Sequence, residues 1–289
     1  MSRAFAPAHV SGLFAVHDED PDPLKKGSRG AGWSLDDGAV AQVERGDSLR
    51  IRINGETTAA PVTRAALEGL APGVGLHVDV RLALPVGQGF GMSAAGTLAA
   101  CLAACDVLGL EPERALEAAH TAEVGSGTGL GDAVGSWFGS GEVRMKPGCP
   151  PHGWALRIDP PPGTRFLFCV LGHGIPTPSI IRDAAWKRKT QELADPAVDR
   201  ILAAKREAAW ERILLESSSF GQALGLMPEA MRRRGATLPE GCQWGQSMLG
   251  NTMWVTASDA DLEVARRLLV KGGLLLEAGV DGNGARLVR

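Results

Sequence analysis

At 289 residues, 44% hydrophobic and 22% charged, the chain can bury one large core or two modest ones, and global disorder is excluded. A net charge of −3 provides no bulk positive field for nucleic acid or an anionic membrane, so neither is expected as a partner. The five cysteines (Cys101, Cys105, Cys149, Cys169, Cys242) hold no CxxC pair, which points to reduced thiols and an expected cytoplasmic location.

Short strands are expected over residues 5–10, 39–44 and 49–53, the last closing on an Asn54-Gly55 turn, with a basic, glycine-rich loop over 22–32. A short helix over 62–69 follows. The clearest periodicity comes next: Val74, Leu76, Val78, Val80, Leu82 and Leu84 place an apolar residue at every second position, a half-buried strand. After PVGQGFGMSAAG, a helix of small residues runs from Ser93 to about Leu108. This stretch is uncharged, but its apolar helical part of about 12 residues is too short to span a bilayer. A helix over 111–124 leads into GSGTGLGDAVGSWFGSG, and the prolines clustered from Pro147 to Pro162 mark an expected boundary between domains 1–160 and 161–289. The second half opens with a strand over 166–172, followed by helices over 179–192 and 197–217, split at Asp195-Pro196. It ends strand (252–256), helix, strand, strand, with Ser258 and Asp261 capping the helix and Asp281-Gly282-Asn283-Gly284 as a hairpin turn.

The strand, glycine loop and helix over 74–108 are the most informative unit. Gly87, Gly89 and Gly91 allow backbone amides to approach a ligand, and the following helix offers free N–H groups and a positive dipole end. A phosphate suits that arrangement, and so does a plain tight turn. A Walker P-loop lacks its lysine here, a dinucleotide fingerprint lacks its GxGxxG spacing, and a nucleophile elbow lacks its last glycine. Further on stand Glu123 and Asp132. Phosphoryl transfer needs oxygen ligands for Mg²⁺ and a group that orients or deprotonates the attacking hydroxyl, and Ser93, Glu123 and Asp132 have that chemistry. The two acids read equally well as a helix-end Glu and a loop Asp capping a helix over 133–137.

PVGQGFGMSAAGTLAA resembles the second motif of the GHMP kinases, APAHVSGLF their first, and SGTGLGDAVGSWFGSG the segment carrying their acceptor-side Asp. Within that family, APAHVSGLF, GSRGAG, HTAEV, GTGLGD, VRMKPG and SMLGNTMWV are similar to the archaeal pantoate kinases. His9 stands where many family members carry Lys, and SMLGNT replaces the usual third motif. The resemblance implies an α+β fold of two domains, a ribosomal S5 domain 2-like ATP-binding part and a ferredoxin-like part, in a homodimer. It implies ATP-dependent phosphorylation of the 4-hydroxyl of (R)-pantoate, for coenzyme A synthesis. By the same resemblance, Pro85, Gly87, Gln88, Gly89, Phe90, Gly91, Met92, Ser93, Ala94 and Ala95 cradle ATP, Ser93 and Glu123 contact Mg²⁺, and Asp132 acts on the hydroxyl. For the acceptor's carboxylate an Arg fork is wanted; Arg144 is the first choice, with Ser28, His120 and Thr177 completing the pocket. Three other readings stay open at this point. They are a GHMP kinase for shikimate, homoserine or a mevalonate-type acceptor, a catalytically silent metabolite-binding regulator of the same fold, and a serine hydrolase built on Ser93.

Overall fold

The computed structural model describes residues 1–174 and 181–289. The first sheet is built around two long antiparallel strands, β1 (Ser2–His17) and β2 (Gly27–Arg45). Three further strands extend it: β3 (Arg50–Ile53), β4 (Glu56–Thr57) and β5 (Leu76–Leu82), in the order β1-β2-β5-β3-β4. The expected alternation holds in β5, where Leu76, Val78 and Val80 are buried. The basic loop expected over 22–32 is corrected, because it is strand from Gly27 onward. Its glycines serve close approach: a Cβ on Gly32 would lie 2.7 Å from His9 Nε2, and one on Gly30 2.9 Å from Arg144 Nη2.

Four helices follow in the first half: α1 (Pro61–Leu70), α2 (Met92–Leu108), α3 (Glu113–Ser126) and α4 (Asp132–Phe138). Helix α2 is buried on every side from Ala94 to Cys105. A helix without a polar face can lie only in a core, and the small side chains bring it close to β1, β2 and α3. Strands β6 (Gly141–Lys146) and β7 (Trp154–Ile158) pair with each other, and β6 adds to β2, so the proline-rich stretch itself holds a strand of the first sheet.

The second sheet contains β8 (Arg165–Val170), β9 (Gln243–Gln246), β10 (Thr252–Thr256) and β11 (Leu274–Gly279), all antiparallel, in the order β11-β8-β10-β9. Helices α5 (Ala184–Leu202), α6 (Ala209–Leu224) and α7 (Glu229–Gly235) lie between β8 and β9, and α8 (Asp259–Leu269) lies between β10 and β11. That is the βαββαβ arrangement of a ferredoxin-like layer. Trp33 of β2 joins the two sheets: it stacks on Phe166 at 4.8 Å and meets Trp254 edge-on at 5.3 Å, all three fully buried.

Two sequence expectations are corrected. The helix break at Asp195-Pro196 does not occur, because α5 runs through Pro196 and the break falls at a 3-10 turn, Arg206–Ala208. Ala194, Ala197, Val198 and Ile201 are buried on that helix, and their packing offsets the missing backbone donor. Pro196→Ala should therefore raise stability by roughly 1–2 kcal/mol, the restored helix bond exceeding the entropy the proline removes from the unfolded chain. A urea melt checks this, and a lower midpoint would mean the ring's own packing dominates. Residues 281–284 are not a hairpin turn: β11 pairs with β8, whereas the strand after the turn, β12 (Arg286–Leu287), pairs with β1. Asp281 forms the turn by accepting bonds from the amides of Asn283 and Gly284, at 2.9 and 2.8 Å. No helix among the described residues is long and apolar enough to cross a membrane.

Candidate active site

Residues 85–91 leave β5 and turn into α2 with positive φ at Gly87 (76°), Gly89 (82°) and Gly91 (59°), a backbone that side chains resist. Phe90 is a core anchor, edge-on to Phe168 at 5.2 Å, and its carbonyl accepts from the His9 amide at 3.0 Å. Met92, Ala94 and Ala95 are also buried, so this segment offers a ligand mainly backbone N–H groups at the start of α2. Gln88 donates to the Gly172 carbonyl at 2.7 Å. The SMLGNT segment backs the loop: a Cβ on Gly89 would lie 2.6 Å from the Ser247 carbonyl oxygen, and one on Gly250 would overlap the Gln88 backbone.

Ser93, the second residue of α2, donates to Glu123 Oε1 at 2.6 Å, and Thr128 donates to Oε2 at 2.9 Å. Glu123 is buried without a cation beside it. Burial pushes its carboxyl up to about 7, the two hydroxyl bonds pull it back, and the Asp132 charge adds to the rise. An oxygen-only donor set around an uncompensated carboxylate fits a hard divalent cation that also takes phosphate oxygens. No group of three or more His, Cys, Asp and Glu side chains suited to a metal occurs among the described residues.

Asp132 opens α4, and Gly91 abuts it: a Cβ on Gly91 would lie 3.2 Å from the Asp132 Cβ. Asp132 Oδ1 accepts from His9 Nδ1 at 2.8 Å and from Ser11 Oγ at 3.1 Å. His9 and Ser11 are two apart on β1 and so share one face. The other His9 nitrogen, Nε2, faces Glu142 Oε1 at 3.0 Å. Glu142 also accepts from Arg144 Nη1, while Arg144 Nε donates to Ser28 Oγ at 3.2 Å. Burial would lower the His9 pKa, but the Glu142 charge and the bonds to Asp132 and Glu142 outweigh it and raise it to about 9. A carboxylate at each ring nitrogen favours the imidazolium form of His9, and Arg144 shares the Glu142 carboxylate with it.

A pocket opens beside this cluster, and its lining includes the polar Ser11, Ser28 and Asp132 and the apolar Phe14, Ile181 and Leu249. Of the residues singled out from the sequence, Ser28 and Asp132 line the pocket, Arg144 bonds to Ser28, and the Ser93–Glu123 pair joins it through Thr128. His120 does not: buried on α3, it sits 2.9 Å from the Lys26 carbonyl, and burial holds its pKa below the ordinary value, so its neutral ring donates there. Thr177 lies outside the described residues. Ser11, Thr128 and Glu142 escape the sequence reading. Ser11 lies in the first motif with nothing local to set it apart from its neighbours, whereas Glu142 carries no local signal and its place follows from β6 pairing with β2.

A family model described as the GHMP kinases N terminal domain matches residues 57–140. The chain is 32% identical to a pantoate kinase of Thermococcus kodakarensis over 282 residues, covering 92% of this chain and 91% of that one. It is 27% identical to a pantoate kinase of Methanocaldococcus jannaschii, covering 92% and 96%. A solved structure described as a phosphotransferase related to the CoA biosynthesis pathway superposes with a TM-score of 0.84 at 29% identity, covering 99% of this chain and 98% of that chain.

Proposed function

The chain belongs to the GHMP kinase family, and from that premise we propose that it phosphorylates the 4-hydroxyl of (R)-pantoate with ATP, giving (R)-4-phosphopantoate for coenzyme A synthesis. The observation that carries this reading is the contact of Gly91 with Asp132: the phosphate-cradling loop and the hydroxyl-binding carboxylate adjoin, as transfer between two bound reactants requires. Pantoate has a carboxylate, two hydroxyls and a gem-dimethyl carbon. The pocket offers both kinds of group: Ser11 and Ser28, each bonded to Arg144, and the apolar Phe14, Ile181 and Leu249.

In this reading, backbone amides of Gly87–Ser93 and the start of α2 hold the phosphates, with Pro85, Ala94 and Ala95 shaping the turn. Ser93 and Glu123 would hold Mg²⁺, which when bound would neutralise phosphate charge. Asp132 accepts the hydrogen bond of the attacking hydroxyl through Oδ2, to which no other described residue is bonded, and fixes its line of approach. Rate comes from positioning and charge neutralisation more than from covalent chemistry. The ATP-binding part is placed at residues 1–160 and the second domain at 161–289, and the reading includes a cytoplasmic homodimer, which sedimentation velocity tests for its assembly.

The deciding experiment is ATP-to-ADP turnover with Mg²⁺ against pantoate, pantothenate, shikimate, homoserine and mevalonate. Turnover with pantoate alone is expected. Turnover with another acceptor instead would move the substrate within the family, and none with any acceptor in folded protein would leave a metabolite binder.

A further inference from the structure

We propose that His9 and Glu142 are a positioning pair for phosphoryl transfer. Glu142 holds the imidazole in its doubly donating, charged form, and the imidazole pins Asp132 Oδ1, leaving Oδ2 as the oxygen that meets the acceptor hydroxyl. The inference rests on the phosphoryl-transfer reading and assigns two residues that neither touch the acceptor nor belong to the phosphate loop.

The geometry carries it. His9 is fully buried on β1, and each ring nitrogen faces one carboxylate, Asp132 from α4 and Glu142 from β6. The remaining charged group of the cluster is Arg144, also from β6 and bound to the same Glu142 oxygen. The ring's other neighbours are glycines: a Cβ on Gly32 of β2 would lie 2.7 Å from Nε2, and one on Gly135 of α4 would overlap the ring. A space cut to the ring, with a carboxylate at each nitrogen, fixes its rotation. Glu142 is fully buried, and its Oε2 has no hydrogen-bond partner among the described residues. Core packing alone gives no reason to retain such a half-satisfied carboxylate. Its service is to the imidazolium: without a second anion, one carboxylate would share two buried cations.

The pair separates hydrogen bonding from charge. In Glu142→Gln the amide oxygen can still accept from Arg144 and a neutral imidazole can still donate from Nδ1 to Asp132, so that contact survives while the charge goes. Asp132 then faces the hydroxyl without a fixed cation to hold its ionised form in place.

Steady-state kinetics with ATP and pantoate from pH 6 to 10 test the inference, with circular dichroism at each pH to separate loss of fold. For the unchanged protein an alkaline limb near the His9 pKa of about 9 is expected. Glu142→Gln should lower kcat roughly 100-fold at pH 8, the scale of one proton-handling group. Its KM values should change little, and its alkaline limb should move down toward the ordinary histidine value of 6.5. His9→Lys, which restores a cation, should retain more kcat at pH 8 than His9→Gln. An unchanged kcat and limb in folded Glu142→Gln, or equal losses in the two His9 variants, would overturn the proposal. Nitrogen-15 spectra of the imidazoles at pH 8 add a readout independent of turnover. Both His9 nitrogens should resonate as protonated, and a neutral ring would overturn the proposal even if no acceptor were turned over. Absent turnover with a protonated ring would support the charged pair and count instead against the phosphoryl-transfer reading.

Discussion

Asp132→Asn should lose at least about 100-fold in kcat while ATP still binds with unchanged affinity. An amide keeps the oxygen that accepts from His9 and Ser11, so the side chain stays in place at the start of α4. Its NH₂ then occupies the position of Oδ2 and presents a donor where the hydroxyl needs an acceptor. The phosphate loop is untouched, since Gly91 meets Asp132 at Cβ and Cγ and not at the exchanged atom. Nucleotide titration calorimetry and single-turnover phosphorylation measure the two halves of the expectation. Ordinary turnover in this variant would remove Asp132 from the mechanism, and lost nucleotide affinity would assign it to the ATP side.

Glu123→Gln should do two opposed things. In the proposed reading turnover should collapse, and the Mg²⁺ concentration needed for what remains should rise, because a residue assigned to the cation becomes a neutral amide. The metal-free protein should become more stable at pH 8. Burial raises the Glu123 carboxyl from 4.5 to about 7, so its protonated form is the one the fold favours. Relative to the ionised form, the native state gains stability that is fully present below pH 4.5 and lost as pH rises through about 7. At 1.36 kcal/mol per pKa unit the loss at pH 8 is on the order of 3 kcal/mol, which glutamine does not suffer because it stays neutral. Ser93 can still donate to the amide oxygen, and Thr128 can accept from its nitrogen. Urea melts without metal at pH 4 and pH 8 check this: the two proteins should nearly coincide at pH 4 and separate at pH 8. Equal stability at both pH values would mean that solvent reaches Glu123.

Much of the frame is legible because it is local. The period-two pattern from Val74 to Leu84 gives β5, the small-residue run after Ser93 gives α2, and Gly87, Gly89 and Gly91 mark the turn between them. Ser93, Glu123 and Asp132 are readable for the same reason, lying in or beside glycine-rich turns that mark where backbone meets ligand. What fails is long-range. Proline rules stop a helix at Asp195, yet burial of Ala194, Ala197 and Val198 carries α5 past it. The glycines of 27–32 read as a loop because glycine usually makes one, whereas here they let the His9 and Arg144 side chains lie close against β2. Glu142 is 133 residues from His9 in sequence, and only the pairing of β6 with β2 and of β2 with β1 brings them together. The His120 ring lies against the Lys26 carbonyl, a contact that nothing local in the sequence indicates.

The Trp33 stack bears on how freely this chain can be rebuilt from parts. Phe166 and Trp254 come from the second sheet and Trp33 from the first, and all three are fully buried. A recombinant swap that took either half from a distant relative would have to carry its facing aromatics with it. Otherwise large rings would meet voids or collide, at a cost of several kcal/mol. The halves are therefore poor building blocks for chimeras, and acceptor preference is better re-engineered by point changes along the pocket wall than by grafting a whole new second half.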